Sequence, residues 1–281
     1  MSCADLLFKK NCLDIIESGI ANEFDTGRPH WEDGTLATTM KKFGVVNRYD
    51  LRQEFPILTL RPVPVRKAVD EMLWIWQQNS NNVNDLDSHV WDAWADENGS
   101  IGKAYGYQLG LRHRYPEGMF TQVEKLLYDL KNNPTSRRMI VNMYNHADLY
   151  EMALAPCAYS MTFNVTTPRH GRPVLNAILN QRSQDMVVAN GWNTTQYAVL
   201  LMMIAQCVDM IPGEFIHVIA DAHIYDRHIA IANELLNRET FPAPRVFLNP
   251  RVKDFWQFTA EDVFVEHYQH GPQIKNIPVA I

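Results

Sequence analysis

The sequence predicts an α+β or mixed α/β fold, and three observations support this. Apolar residues recur at spacings of three and four in several segments, which is typical of amphipathic helices. Short apolar runs lie between those segments, and strands and helices do not alternate as regularly as in a doubly wound sheet. Because no repeat, low-complexity segment or Gly/Ser linker divides the chain, we expect residues 1–281 to form a single domain.

Five helices and five strands are predicted in order. The helix that ends at Asn132-Asn133-Pro134 is bounded there because proline cannot continue a helix, and the fourth helix is apolar nearly all round and so is expected to be buried. The predicted helices are residues 4–18, 65–76, 120–130, 195–208 and 224–237. The predicted strands are residues 139–143, 160–165, 174–179, 215–220 and 245–248.

Charge and hydropathy exclude several classes of function. The chain has 26 Lys and Arg against 32 Asp and Glu, a net charge of −6, whereas proteins that hold DNA usually carry a basic surplus. The longest apolar run, residues 197–205, is far shorter than the roughly 20 residues of a membrane helix, and the N-terminus lacks a signal-peptide core. We therefore expect a cytoplasmic protein that binds neither DNA nor a membrane.

Cysteine usage points to one reactive thiol. The four cysteines show no CxxC spacing, so neither a metal site nor a disulfide scaffold is expected. Cys157 follows Ala155-Pro156 just before a predicted strand, and a nearby arginine, such as Arg182, would favour its nucleophilic thiolate form. A buried structural cysteine is the alternative, and it is the preferred interpretation for Cys3, Cys12 and Cys207.

Two polar clusters follow apolar strands. In residues 181–185, Gln-Arg-Ser-Gln-Asp, the arginine fork suits a phosphate, although a solvated loop explains the cluster equally well. In residues 221–225, His223 and Tyr225 point to the same side of an extended segment and could grip a sugar hydroxyl. His223 and His228 lack the spacing and the third ligand of a zinc site, so a metal is not expected there.

A carboxylate and two indoles complete the candidates. Glu71 lies among apolar residues of the second helix, where burial would raise its pKa and suit it to acid–base chemistry; exposure on a polar face is the alternative. Trp91 and Trp94 could form an aromatic wall for a planar ligand, or could pack in the core.

None of these signals is specific alone, but their order along the chain is. Glu71 in its helix is followed by WDxW, YGxQ, SRR, APC, QRSxD, an Asn eight residues later, DxHxY and a terminal PVAI. In this order the sequence resembles the thymidylate synthase family from about residue 14 to Ile281, and most of all its Bacillus-type subgroup. The resemblance implies a mixed β-sheet flanked by helices, and a homodimer in which the two sheets pack back to back.

The resemblance also implies an activity, the reductive methylation of dUMP to dTMP. In this reaction 5,10-methylenetetrahydrofolate is the co-substrate that gives both the one-carbon unit and the hydride. By match to APC, Cys157 would attack carbon 6 of the uracil in a covalent mechanism. By match to QRSxD, Arg182 would bind the phosphate and lower the pKa of the thiol, Ser183 would also bind the phosphate, and Asp185 would bind the pterin ring.

Further roles follow from the same match. Asn193 would read the uracil edge, and His223 and Tyr225 would bind the ribose hydroxyl. Glu71 would organise water for proton transfers, with Tyr105 in the same network. The remaining implied residues are Trp91, Trp94, Ala280 and Ile281 on the folate side, and Arg28, Arg137 and Arg138 at the phosphate, the last two reaching the nucleotide of the neighbouring subunit.

Two departures from the family pattern leave alternatives open. Ala158 stands where His commonly follows the nucleophile, and Bacillus-type relatives also lack that His. Residues 188–193 read VANGWN in place of LGxPFN. The second change raises the alternative of a dUMP 5-hydroxymethyltransferase, in which water captures the methylene intermediate. A binding protein that has lost its chemistry, for example one that binds RNA, is a further alternative, opposed by the intact Cys157, Arg182, Asn193 and Glu71.

Overall fold

The computed structural model describes residues 2–21 and 29–281, which form a mixed β-sheet flanked by helices. The helices are α1 Cys3–Ser18, α2 Val65–Trp76, α3 Gly106–Gly110, α4 Gln122–Asn132, α5 Asn190–Cys207 and α6 Ile229–Asn237. The strands are β1 Ile20–Ala21, β2 Thr39–Asp50, β3 His113–Tyr115, β4 Gly118–Phe120, β5 Ile140–Asn142, β6 Ala158–Thr166, β7 Val174–Asp185, β8 Ile211–Tyr225, β9 Arg245–Leu248 and β10 Val263–Glu266. The predicted fold class is therefore confirmed.

The main sheet has six strands in the order β1-β2-β8-β7-β6-β5. Strands β7 and β8 run parallel and are joined through α5, whereas the other neighbouring pairs are antiparallel. Two small antiparallel hairpins, β3–β4 and β9–β10, lie outside this sheet. The parallel pair matters for function, because it brings the ends of two long strands side by side.

Local sequence explains where the helices begin. The Ser2 hydroxyl accepts a hydrogen bond from the backbone N–H of Asp5, which caps α1. Thr121 and Glu124 form a capping box at the start of α4, each side chain accepting from the backbone N–H of the other residue. Each cap stabilises its helix by about 1 kcal/mol because it satisfies backbone donors that the helix cannot.

The core lies between α5 and the elements around it. Helix α5 packs against α2 and against strands β7 and β8, and its residues are buried on nearly all sides, as the sequence predicts. Trp74 and Trp76 of α2 are fully buried in the same cluster. Burial of a large apolar side chain contributes about 1.5–3 kcal/mol, so this packing fixes α2, which carries Glu71, relative to the sheet.

Several predicted boundaries were wrong. Strand β8 continues to Tyr225, so the helix predicted over 224–237 begins at Ile229, after a 3-10 turn at Asp226–His228. Strand β7 continues through residues 181–185, so that cluster forms the end of the strand and is not a solvated loop, and α5 begins at Asn190 instead of residue 195. In each case polar residues that line the site belong to a regular strand or helix, so the sequence there lacks the apolar spacing from which such an element is predicted.

The second strand was not predicted. Strand β2 carries Lys41, Lys42 and Arg48 and has no clean alternation of apolar and polar residues. Its place in the sheet is determined by the antiparallel ladder with β8, from Thr39 opposite Tyr225 to Asp50 opposite Glu214. Within residues 2–21 and 29–281, no helix is long and apolar enough to cross a membrane.

Candidate active site

One cavity of about 810 Å³ gathers most of the predicted site residues. The register of the parallel strands explains part of this, since Ser183 of β7 lies opposite Asp221 of β8, and Asp185 lies opposite His223. The predicted residues that line the cavity are Glu71, Trp91, Trp94, Tyr105, Cys157, Arg182, Ser183, Asp185, Asn193, His223, Tyr225, Ala280 and Ile281.

The segment that carries the thiol is held by Arg182. Its backbone N–H donates to the carbonyl of Cys157 at 2.8 Å, and its Nε donates to the carbonyl of Pro156 at 3.0 Å. A terminal guanidinium nitrogen of the same residue donates to the carbonyl of Ala155. The positive charge of Arg182 is therefore fixed against the Ala155-Pro156-Cys157 segment, where it favours a thiolate.

Tyr105 fixes the thiol segment from the other side. The backbone N–H of Cys157 donates to the Tyr105 hydroxyl at 2.9 Å. Tyr105 is buried, its φ is +45°, and its ring centre is 5.1 Å from that of Trp91. A non-glycine residue in this region costs about 1–3 kcal/mol and persists only where its surroundings enforce it. Burial raises the pKa of the Tyr105 hydroxyl, which therefore stays protonated at neutral pH.

Glu71 is buried, so the alternative of an exposed glutamate is wrong. Its Oε1 accepts from the Trp91 indole N–H at 3.0 Å, and its Oε2 accepts from the Trp192 indole N–H at 2.5 Å. Burial raises the pKa of Glu71 to about 7, and the two indole donors oppose that rise. A carboxyl group with this pKa can both give and take a proton at neutral pH.

The amide of Asn193 is oriented by its neighbours. Gln181 Nε2 donates to the carbonyl of Ser183 at 3.0 Å, and since a carbonyl can only accept, this contact fixes which end of Gln181 is the donor. Gln181 Nε2 also donates to Asn193 Oδ1 at 3.1 Å, and Asn193 Nδ2 donates to Gln196 Oε1 at 3.0 Å. The buried His217 donates to Gln181 Oε1 at 2.7 Å. Each end of the Asn193 amide therefore has a defined polarity.

Two carboxylates at the ends of the parallel strands are also held. Asp185 Oδ1 accepts from the backbone N–H groups of Val187 and Val188, at 2.8 and 3.0 Å. Asp221 Oδ1 lies 2.8 Å from His223 Nδ1, and its Oδ2 lies 3.1 Å from Lys41 Nζ. The His223 ring is therefore fixed by a carboxylate, with its edge against the Tyr225 ring at 5.0 Å between centres.

The C-terminus lies over the same cavity. His30 N donates to Ile281 O at 2.8 Å, and Ile281 N donates to His30 O at 3.0 Å, a pair of bonds of the antiparallel type. Ala280 and Ile281 line the cavity, and the His228 ring contacts the carbonyl of Pro278. The last residues of the chain therefore form part of the wall of the site.

Known proteins match this chain over nearly its full length. The sequence model described as thymidylate synthase matches residues 7–281. This chain belongs to the thymidylate synthase family. Thymidylate synthases of Bacillus subtilis subsp. natto and Bacillus licheniformis are 44% and 42% identical over 266 and 279 residues, covering 93% and 98% of both chains. The structure of a thermostable thymidylate synthase A from Bacillus subtilis matches with a TM-score of 0.92 and 42% identity, over 99% of each chain.

These matches bear on the two activities considered for the sequence. The named relatives and the matched structure support thymidylate synthase function, as the motif order indicates. They do not favour a dUMP 5-hydroxymethyltransferase. The resemblance to the Bacillus-type subgroup is confirmed by the same relatives.

Two arginines of the thymidylate synthase pattern, Arg137 and Arg138, do not line the described part of the cavity. Arg137 and Arg138 are exposed, just before the edge strand β5. Arg28 lies outside the described residues. The roles assigned to these three residues stay predictions.

Sequence reasoning missed several residues of the site. Trp192 bonds Glu71, Arg61 donates to the carbonyls of Val187 and Val188, and Gln181 orients Asn193. The signal for Trp192 was present, since it stands at the Phe position of the departing motif. No pattern indicates that His228 approaches the C-terminus. The described residues contain no group of three or more His, Cys, Asp or Glu side chains that could hold a metal ion.

Proposed function

We propose that this enzyme is a methyltransferase that converts dUMP to dTMP, with 5,10-methylenetetrahydrofolate as donor of the one-carbon unit and of the hydride. The observation that carries the proposal is the placement of Cys157 in the cavity, with its backbone N–H bonded to Tyr105 and its carbonyl bonded to Arg182. A thiol on a fixed backbone, with a guanidinium fixed against the same segment, is an arrangement that suits nucleophilic catalysis.

The nucleotide is recognised at three places. Arg182 and Ser183 bind the phosphate, and His223 and Tyr225 bind the ribose hydroxyl. Asn193 keeps one Nδ2 hydrogen for a ligand, since the other is donated to Gln196; its Oδ1 accepts from Gln181 at 3.1 Å and from Gln184 at 3.4 Å, and a ligand N–H would replace the longer of these two bonds. A uracil offers a carbonyl acceptor and an adjacent N–H donor to match them, whereas cytosine offers the reverse polarity.

The chemistry begins with attack of the Cys157 thiolate on carbon 6, which makes carbon 5 of the uracil nucleophilic. Glu71 moves protons at the base through ordered water, for which its pKa near 7 is suited. The Tyr105 hydroxyl stays protonated and belongs to the same proton network.

The folate lies against the aromatic wall of Trp91 and Trp94, with its pterin ring near Asp185. Ala280 and Ile281 close over it from the C-terminus. Exclusion of water at this stage protects the methylene intermediate, which water could otherwise attack.

The working unit is a homodimer of single-domain chains. Val46, Ile140 and Ile178 are exposed at 52%, 54% and 36%, and the cross-strand register places them on one face of the main sheet. Burying such a face against a second copy would bring Arg137 and Arg138 toward the neighbouring nucleotide, where Arg28 of that chain also binds the phosphate.

The test is a product assay with dUMP and methylenetetrahydrofolate. We expect dTMP with one dihydrofolate for each product molecule, and a covalent adduct with 5-fluoro-dUMP. Cys157→Ser should lose at least about 10³-fold in turnover and form no adduct, because a hydroxyl is a far poorer nucleophile at neutral pH. Hydroxymethyl-dUMP without dihydrofolate would refute the proposal, and near-normal turnover of Cys157→Ser would refute the role of Cys157.

A further inference from the structure

His228 connects the C-terminal tail, residues 278–281, to the floor of the site. It ends the 3-10 turn that follows β8, and its side chain is fully buried. Its Nε2 lies 2.7 Å from the carbonyl oxygen of Pro278. Its Nδ1 lies 3.5 Å from Oδ2 of Asp185, whose other oxygen is bonded to the backbone of residues 187 and 188.

These two contacts define the protons on the ring. The carbonyl of Pro278 can only accept, so Nε2 must carry a hydrogen. Nδ1 lies within ion-pair distance of a carboxylate oxygen, although not in hydrogen-bond geometry, so a lone pair there would be repelled and an N–H would be attracted. Both nitrogens carry hydrogens only in the imidazolium form, in which the ring bears a positive charge.

The charges around His228 favour the same form. Burial alone lowers the pKa of His228, but Asp185, the Pro278 carbonyl and the charge of Asp226 together more than offset this, and the net effect is a raised pKa. The neighbouring Arg227 forms an ion pair with Asp33 at 2.7 Å. The Asp226 carboxylate accepts a hydrogen bond from the Trp31 indole N–H at 3.1 Å. Among the described residues, the other charged, titratable or aromatic groups near His228 and Asp185 include Cys12 of α1, His223 and Tyr225 of β8, Trp31, and Arg61.

We propose that His228 is a positioning residue that, as an imidazolium held by Asp185, binds the Pro278 carbonyl and makes closure of the C-terminal tail depend on a proton. The inference rests on the proposed function, since the tail is taken to cover the bound folate. The charged donor makes the stronger hydrogen bond, so the tail is held best at low pH and loosens as His228 loses its proton.

The first test reads the ring directly and needs no activity. In protein labelled with ¹⁵N-histidine, the His228 signals are those that vanish in His228→Gln. At pH 6.5, the ordinary pKa of histidine, we expect two protonated ring nitrogens in more than the half of the molecules that an ordinary histidine would show. A ring with one protonated nitrogen under these conditions would overturn the proposal. The test does not depend on folding of His228→Gln, because the signals of the other nine histidines can be assigned by substituting each in turn, which leaves those of His228.

The second test reads the tail. His228→Gln keeps a neutral donor but lacks the charge, so at pH 6 it should raise KM for methylenetetrahydrofolate roughly tenfold and leave KM for dUMP unchanged. The ratio of variant to wild-type KM should fall toward one as pH rises through the pKa of His228. In the wild type, hydrogen exchange of the Ile281 amide, corrected for the pH dependence of intrinsic exchange, should become faster over the same pH range, because the tail loosens.

The matched control is His170→Gln, an exposed histidine that does not line the cavity. It should behave as wild type at every pH. A ratio for His228→Gln that is independent of pH would mean a purely structural role and would overturn the proposal. Absence of dTMP formation with intact ring protonation and tail protection would refute the proposed function and leave the tail contact standing.

Discussion

The indole N–H of Trp192 donates a hydrogen bond to Oε2 of Glu71, at a position where the usual family motif has phenylalanine. Since Trp91 donates to Oε1, both oxygens of this buried carboxylate are held by indoles. The departure from the family motif therefore adds a contact to the carboxyl group that we propose for acid–base chemistry.

Replacing Trp192 by phenylalanine removes this donor and keeps an aromatic ring. A carboxylate that loses a donor is less stable in its charged form, so the pKa of Glu71 should rise. We expect the acid limb of the kcat against pH profile to move to higher pH, by about one unit for a bond of roughly 1.4 kcal/mol. Trp256→Phe, on the surface, is the matched control, and an unshifted limb in Trp192→Phe would refute this role.

The buried carboxyl of Glu71 should also make stability depend on pH. Its pKa is about 7 in the folded protein and near 4.5 when unfolded, so the folded state binds more protons between these values. The free energy of unfolding should therefore fall by about 3 kcal/mol as pH rises from 4.5 to above 7. Glu71→Gln should lack this fall in denaturant titrations, whereas the exposed Glu97→Gln should retain it. Parallel curves for wild type and Glu71→Gln would contradict the assignment.

Asn193→Asp should weaken discrimination against dCMP. The aspartate replaces the Nδ2 donor by an oxygen, which then faces the Gln196 oxygen and no longer matches the uracil carbonyl. We expect the ratio of kcat/KM for dUMP to that for dCMP to fall at least about tenfold, the cost of one mispaired hydrogen bond. Asn98→Asp, on the surface, serves as the control. An unchanged ratio would show that Asn193 does not read the base.

Deletion of Ile281 should separate nucleotide binding from methyl transfer. It removes both backbone hydrogen bonds to His30 and opens the site to water. We expect dUMP to bind as in wild type, and kcat to fall roughly tenfold or more. Ile281→Ala keeps the backbone bonds and should lose less. Full methyl transfer by the shortened chain would refute this role of the tail.

The sequence predicted the helices more accurately than the strands. Helices α2 and α4 were predicted closely because their apolar spacing is regular, and Asn132-Asn133-Pro134 marks the end of α4. Strand β2 and the ends of β7 and β8 were not, because site residues and charges interrupt their apolar pattern.

The sequence by itself determined the fold class and the family, and it named the chemical groups of the proposed site, Cys157, Glu71, Arg182 and Asn193 among them. It could do so because residue type and the order of motifs can be recognised without knowing which residues are in contact. The tertiary structure alone decided that Trp192 bonds Glu71 and that His228 lies between Asp185 and the tail. Burial, the polarity of amides and the pKa of Glu71 depend on neighbours that are distant in sequence, and only folding brings those neighbours together.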